Sequence, residues 1–175
     1  LISTGEDVSA SLLAIALNSI GISSRSWRGW QVPIKTDSFH SNAKIEEINT
    51  KQLVENFMKG TKVAVVSGFQ GIEGAGRITT LGRGGSDTSA VAIAAAINAD
   101  RCDIYTDVSG IYTTDPRIKR NASKLKKISF EEMLEMASLG ANVLQTRAVE
   151  LAMRNKVPIT VLNSFSKEDG TLVCD

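Results

Sequence analysis

Apolar residues recur along the chain with two different spacings, which predict helices interleaved with strands. Helical spacing marks four segments, at about 6–20, 50–59, 129–140 and 143–155, and residues 90–97 are apolar all round, as in a buried helix. Short runs rich in β-forming residues predict strands at 22–27, 31–36, 63–66, 102–108, 157–162 and 171–174. Because the strands are mostly continuous apolar runs that alternate with helices, we predict an α/β fold with a mostly parallel sheet.

The size and charge of the chain limit what it can do. Its 175 residues are consistent with one domain, and its formal net charge of +1 gives no electrostatic reason to expect nucleic acid or an anionic membrane as a partner. No run is apolar enough to span a bilayer, and the first residues lack the pattern of a signal peptide. We predict buried, reduced thiols at Cys102 and Cys174, and a cytoplasmic protein.

Residues 79–90 combine glycines with charged side chains at the predicted start of a helix. A glycine-rich bend that opens a helix presents backbone N–H groups and the positive end of the helix dipole. Arg83 adds a guanidinium fork suited to a carboxylate or a phosphate, and Asp87 adds a carboxylate in the first helical turn. The pattern therefore predicts a site for an anion beside a cationic amine. The alternative is an ordinary glycine-rich turn with a capping aspartate.

A second polar loop, at 106–117, follows the next predicted strand. Ligands of parallel sheets bind at the carboxyl ends of the strands, where such loops gather polar groups. Thr106 and Asp107 offer hydrogen bonds, Tyr112 offers a stacking surface, and Arg117 offers a cation. This set suits a nucleotide, and the alternative is a polar hairpin on the surface.

The two stretches together resemble the aspartokinases, within the amino acid kinase family. Residues 80–90 read Thr-Leu-Gly-Arg-Gly-Gly-Ser-Asp-Thr-Ser-Ala and are similar to the substrate-site signature of that family, and residues 106–117 resemble its nucleotide-binding segment. The likeness runs through the whole chain in order, including the Ser-x-Gly-Glu helix near the start and the segments at 68–71, 140–145 and 170–172. The resemblance implies a three-layer αβα sandwich with a mostly parallel sheet.

The resemblance also implies a reaction. The γ-phosphoryl group of ATP passes to the side-chain carboxylate of L-aspartate and gives 4-phospho-L-aspartate, the first step of lysine, threonine and methionine (diaminopimelate) biosynthesis. Mg²⁺ accompanies ATP and is held mainly through the phosphates, because the sequence has no dedicated ligand cluster. Such a transfer depends on positioning and charge neutralisation more than on a base, so we interpret the single histidine, His40, as structural.

The same resemblance implies a role for each matching position. Arg83 clamps the α-carboxylate of aspartate and Glu6 takes its α-amino group, with Ser86 and Asp87 close by. Arg83 and Asp87 are the catalytic residues that it implies. The implied nucleotide contacts are Thr106, Asp107, Tyr112, Arg117 and the neutral Asn142, at a position where the family commonly has a lysine.

The chain also departs from the family. A Lys-Phe-Gly-Gly loop, whose lysine supports phosphoryl transfer in the family, does not occur in residues 1–175. We therefore expect residues 1–175 to be a single partial catalytic domain, without that N-terminal segment and without regulatory domains. We expect it to be inactive in isolation and homo-oligomeric in the full-length protein.

Two other functions compete with this interpretation. A kinase that acts on glutamate or on a nucleotide monophosphate would share the fold, but the string at 83–87 disfavours it. A non-catalytic ligand-binding or regulatory relative is favoured by the missing lysines and disfavoured by the intact set of Glu6, Arg83 and Asp87. The spacing of the glycines does not match a dinucleotide fingerprint or a P-loop.

Overall fold

The computed structural model describes residues 1–141 and 143–175. Five helices occur in these residues: α1 (Thr4–Ser19), α2 (Lys51–Met58), α3 (Gly85–Ala96), α4 (Phe130–Ser138) and α5 (Thr146–Asn155). Ten strands occur in them: β1 (Ser24–Trp27), β2 (Ile34–Thr36), β3 (Ile45–Ile48), β4 (Val63–Val66), β5 (Gln70–Ile72), β6 (Ile78–Thr80), β7 (Cys102–Thr106), β8 (Lys127–Ile128), β9 (Ile159–Asn163) and β10 (Thr171–Val173). The chain divides into two compact units, residues 1–97 and 98–175. The assignment of residues 1–175 to one domain stays a prediction.

The first unit contains a parallel pair of strands and a mixed four-stranded sheet. Strand β4 pairs with β1 in parallel, and α1 packs on both strands. The buried residues of α1 are Ala10 and Ala14, and their small side chains, one helical turn apart, bring the helix close to the strands. The second sheet has the order β3-β2-β5-β6, in which β2 and β5 are parallel and the two outer pairs are antiparallel.

The core of the first unit anchors the helix that follows the glycine-rich stretch. Trp27, Val32, Ile34 and Leu53 form one buried cluster between α2 and the strands. Ile93 of α3 packs against this cluster. The C-terminal half of α3 is therefore held by apolar contacts, which leaves its N-terminus available for polar chemistry.

The second unit is built on one sheet with the order β7-β9-β10-β8. Strands β7 and β9 are parallel, and Thr106 at the end of β7 lies opposite Asn163 at the end of β9. Ile104, Val161 and Val173 are buried, and residues at the alternate positions of the same strands are more accessible. Because β7 and β9 end at the same edge, the loops that follow them leave the sheet side by side.

Helix α4 of the second unit begins at a capping box. The hydroxyl of Ser129 accepts a hydrogen bond from the backbone N–H of Glu132 at 3.2 Å, and a Glu132 carboxylate oxygen accepts one from the Ser129 N–H at 3.0 Å. The Ser129 backbone and hydroxyl hydrogen bonds hold the pKa of Glu132 below its usual value. This cap determines where α4 starts, and α4 in turn packs against α5.

Several details differ from the sequence-based expectations. Four strands were not predicted, β3, β5, β6 and β8: the last three have only two or three residues, and β3 has two adjacent glutamates in place of an apolar run. Four of the seven pairings between the described strands are parallel, and the antiparallel ones involve β3, β6 and β10. Cys102 is buried, as predicted, but Cys174 is only half-buried, so the prediction of a buried thiol there is wrong.

Candidate functional site

The glycine-rich stretch of the first unit forms a tight turn between β6 and α3. Gly82 and Gly84 have φ angles of +75° and +67°, in the left-handed region that favours glycine. The Gly85 N–H donates to the Gly82 carbonyl at 3.0 Å, and α3 begins at Gly85. The side chains of Arg83 and Ser86 are exposed, and that of Asp87 is half-buried in the first turn of the helix. The predicted glycine-rich turn at the start of a helix is therefore present, and we refer to residues 80–87 as the signature turn.

The turn that follows β4 packs against the signature turn. A Cβ atom at Gly68 would lie 2.9 Å from the Ser89 hydroxyl oxygen and 3.8 Å from the Ser86 Cα, so the two chain segments meet at van der Waals distance. The Phe69 N–H donates to the Ser89 hydroxyl at 3.2 Å, and that hydroxyl donates to the Ser86 carbonyl at 2.9 Å. Phe69 itself has a φ of +63°, a strained value that these contacts hold in place.

The first turn of α1, which carries Glu6, contacts the turn that follows β4. The Gln70 side-chain amide donates to a carboxylate oxygen of Asp7 at 3.0 Å and to the Ser3 carbonyl at 3.4 Å. Glu6, which precedes Asp7 in the sequence, is half-buried. The turn at 67–70 thus contacts both α1 and α3, and the elements that carry Glu6, Arg83, Ser86 and Asp87 all belong to one unit.

The second unit contains a pocket at the carboxyl end of β7. Its volume of about 590 Å³ lies within the range of small-molecule sites. It is lined by the four described residues that the sequence predicted for a nucleotide, Thr106, Asp107, Tyr112 and Arg117, and also by Ser109, Gly110, Ile111, Thr114, Asp115, Met136, Gly140, Ala141 and others. The loop is ordered by its own hydrogen bonds, since the Thr106 hydroxyl donates to Asp107 at 3.2 Å and the Arg117 N–H donates to Asp115 at 2.8 Å.

The comparison with known proteins decides the family. The family model described as the amino acid kinase family matches residues 1–163. The chain belongs to the amino acid kinase family. The predicted fold, that of the amino acid kinase family, is confirmed. A UMP kinase from Bacillus anthracis has the same fold, with a TM-score of 0.70 at 19% identity.

Individual relatives of this chain are aspartokinases. An aspartate kinase of Pseudomonas fluorescens is 56% identical over 173 residues, and aspartokinase 2 of Bacillus subtilis is 53% identical over the same length. The alignments cover 99% of this chain and 42% of each relative. The crystal structure of E. coli aspartokinase III in complex with aspartate and ADP, in the R-state, has a TM-score of 0.91 at 37% identity and covers 99% of this chain and 40% of that one. The chain therefore spans less than half the length of the curated relatives it matches.

The structure places the predicted residues in two groups, one in each unit. Glu6 and the signature turn lie in the first unit, and the described nucleotide candidates line one pocket in the second. Asn142 lies outside the described residues, although its neighbours Ala141 and Val143 line the same pocket. The roles given to these residues stay predictions. None of the helices in the described ranges is long and apolar enough to cross a bilayer.

Sequence reasoning gave no role to other residues near these sites. Ser89 and Gln70 lie in segments that the resemblance covers, and in the structure their hydrogen bonds hold the first group together. Met136 of α4 lines the pocket without any sequence signal, since its spacing is that of a core residue. Gly110 carried a weak signal, because a glycine just after a strand often marks a position where a side chain does not fit. In the structure its φ is +131°, and a Cβ atom there would lie 2.6 Å from the Thr171 hydroxyl oxygen.

Gly85→Ala should disturb the signature turn. The added methyl would lie 2.8 Å from the Leu81 Cβ and 2.9 Å from a Phe69 ring carbon, closer than side chains normally approach. We expect the free energy of unfolding to fall by about 1–3 kcal/mol, as for other overpacked sites. Gly74→Ala is the matched control, because nothing lies within 4 Å of its Cβ position and its φ is not positive. Denaturant unfolding measures both, and equal stability of the two variants would contradict the packing described.

Proposed function

We propose that this protein is an aspartate kinase. An oxygen of the L-aspartate side-chain carboxylate attacks the γ-phosphorus of ATP, the bond from that phosphorus to the β–γ bridging oxygen breaks, and ADP leaves. The product is 4-phospho-L-aspartate, a mixed anhydride. The observation that carries the proposal is the likeness to aspartokinases, at 52–56% identity over almost the whole chain, together with the glycine-rich turn that begins α3.

The signature turn has the properties that recognition of an amino acid requires. The N-terminus of α3 supplies a partial positive charge, and Arg83 is exposed at its entrance. A carboxylate can accept two parallel hydrogen bonds from a guanidinium, which fixes both its position and its orientation. In this proposal Arg83 binds the α-carboxylate, Glu6 binds the α-ammonium group, and Ser86 and Asp87 line the same site.

The pocket of the second unit has the properties that binding of ATP requires. Tyr112 offers a ring face, Thr106 and Asp107 offer hydrogen bonds, and Arg117 is an exposed cation for the phosphates. Mg²⁺ prefers oxygen ligands and is often held by one or two carboxylates plus phosphates. The carboxylates of Asp107 and Asp115, which line the pocket, fit that preference, and the ion would neutralise the charge on the phosphates.

The proposed reaction requires little acid–base catalysis by the protein. The attacking carboxylate is already ionised at neutral pH, so no general base has to remove a proton from it. Catalysis then depends on holding the two substrates in line and on neutralising the transferring phosphoryl group. In keeping with this, the His40 ring lies on the surface and contacts the Ile78 carbonyl at 3.2 Å through Nδ1.

The proposal includes a homo-oligomeric assembly and a cytoplasmic location. The apolar side chains of Val8, Leu12 and Ile15 on α1 are exposed, which supports burial against another surface in a homo-oligomer of the full-length protein. In the described residues neither Cys102 nor Cys174 is joined in a disulfide, which supports a cytoplasmic, reducing environment.

The proposal is tested by measuring ADP release from Mg-ATP by the full-length protein with different acceptors. We expect release that depends on L-aspartate, with hydroxylamine trapping the acyl phosphate as a hydroxamate. L-glutamate and UMP serve as acceptors for the competing kinases of the same fold, and each should give a much lower rate. Binding of aspartate or ATP without any turnover would instead identify a non-catalytic relative.

A further inference from the structure

Gln70 is the most deeply buried polar side chain near the proposed aspartate site. It is 0% exposed, at the start of β5. Its amide nitrogen donates to an Asp7 carboxylate oxygen at 3.0 Å and to the Ser3 carbonyl at 3.4 Å, both in or beside the first turn of α1. A Cβ atom at Gly29 would lie 2.9 Å from the Gln70 Cγ, so the side chain is also confined from that direction. The amide is therefore locked onto α1.

The Asp7 side chain is held from a second direction. It is 15% exposed and lies 3.7 Å from the Arg28 side chain, which is itself 58% exposed. A partly exposed ion pair of this length is weak, whereas the part-buried hydrogen bond from the Gln70 amide to the Asp7 carboxylate is charge-assisted. The contact with Gln70 is therefore the stronger of the two at Asp7.

The backbone of Gln70 belongs to the strand pair that carries the signature turn. Gln70 lies opposite Thr80 in the antiparallel pairing of β5 with β6. The next residue along β6, Leu81, donates its N–H to the Phe69 carbonyl at 3.0 Å. Arg83 follows two residues later. One residue thus connects, through its side chain, the turn that carries Glu6 and, through its backbone, the turn that carries Arg83.

We infer that Gln70 is a positioning residue for aspartate binding. Its hydrogen bond to Asp7 sets the first turn of α1, and so Glu6, at the correct distance from the signature turn. The two ends of the amino acid, its α-ammonium and its α-carboxylate, are then recognised by groups whose separation Gln70 maintains. This inference rests on the proposed function. Gln70 touches no substrate in it and acts only through Glu6.

The experiment measures KM for L-aspartate, KM for ATP and kcat in the full-length protein. Gln70→Met keeps the length of the side chain and removes the donor. We expect it to raise KM for aspartate about tenfold and to leave KM for ATP and kcat within about twofold, because a loosened Glu6 weakens one substrate only. Asp7→Leu, which removes the acceptor from the other side, should do the same. Asp7→Asn keeps an acceptor for the Gln70 amide and should stay within about threefold of the wild type.

Thr36→Val is the matched control for loss of a buried hydrogen bond. The Thr36 and Thr79 hydroxyls are 2.6 Å apart, both residues are buried, and they belong to the same sheet as Gln70. This control should lower the melting temperature and leave KM for aspartate unchanged. If Gln70→Met instead lowers only the apparent kcat, in proportion to its loss of folded protein, and leaves KM for aspartate unchanged, its role is structural and the inference is overturned.

A double-mutant cycle with Glu6→Gln tests whether Gln70 acts through Glu6. In the Glu6→Gln background, Gln70→Met should raise KM for aspartate by no more than about twofold, because the group that it positions is already impaired. A full tenfold effect in that background overturns the inference.

If the wild type has no aspartate-dependent turnover, the proposed function fails and the inference fails with it. If Glu6→Gln impairs aspartate binding but Gln70→Met matches the wild type, only the inference fails.

Discussion

Replacing Arg83 with lysine in the full-length protein should raise KM for L-aspartate by about tenfold or more. A guanidinium can donate two parallel hydrogen bonds to one carboxylate, and a lysine ammonium, which is a point charge on a flexible stem, cannot reproduce that geometry. A hydrogen bond to a charged group contributes about 1.5–3 kcal/mol, and each 1.4 kcal/mol corresponds to a factor of ten in affinity. KM for ATP should change by less than about twofold, because the nucleotide candidates lie in the other unit.

Arg77→Lys is the control for the Arg83 variant. Arg77 is exposed in the connection between β5 and β6, in the same unit, and its backbone N–H rather than its side chain is hydrogen-bonded, to Glu73 at 3.2 Å. Steady-state kinetics with each substrate varied in turn should leave this control at wild-type values. Equal losses of affinity for aspartate and ATP in Arg83→Lys, or no loss of either, would remove Arg83 from the proposed aspartate site.

Residues 1–175 produced alone should release ADP at a rate at least about a hundredfold below that of the full-length protein. In the family that the chain resembles, the lysine of a Lys-Phe-Gly-Gly loop supports phosphoryl transfer, and that sequence does not occur in residues 1–175. Removal of a single preorganised group that stabilises transition-state charge reduces rates by about 10²–10³.

The pairing of the strands supports the same expectation. Among the described residues, β4 pairs only with β1, in a two-stranded parallel sheet, although its four residues are all apolar. Apolar parallel strands are normally covered on both faces and paired on both sides, and an open edge of this kind favours association. We therefore expect the isolated chain to self-associate as well as to lack activity.

A coupled assay of both proteins at matched concentration, with size-exclusion chromatography of each, measures the difference. The isolated chain should still bind ADP weakly, because the pocket that we assign to the nucleotide lies wholly within residues 98–175. Titration calorimetry with ADP therefore separates a folded but inactive chain from an unfolded one. Turnover by the isolated chain within a few-fold of the full-length rate would contradict this expectation.

The sequence predicted best those features that depend on neighbouring residues. The signature turn is one example, because left-handed glycines, a helix N-terminus and a charged side chain all lie within residues 80–87. The loop after β7 is another, because a β-forming run is followed directly by Thr106 and Asp107. Local propensity and the order of residue types determine such features, so one segment is enough to predict them.

Tertiary structure alone decided which distant residues meet. The hydrogen bond between Gln70 and Asp7 joins positions 63 residues apart, and Met136 reaches the pocket from a helix whose sequence only indicates a core. Strands β5 and β6 have three residues each, so only their antiparallel pairing identifies them as strands. The composition and the local patterns of this chain therefore determined its fold class, its candidate anion turn and its candidate nucleotide loop. Packing decided which residues contact the first turn of α1 and which side chains line the pocket, because contacts between remote residues depend on chain topology rather than on local sequence.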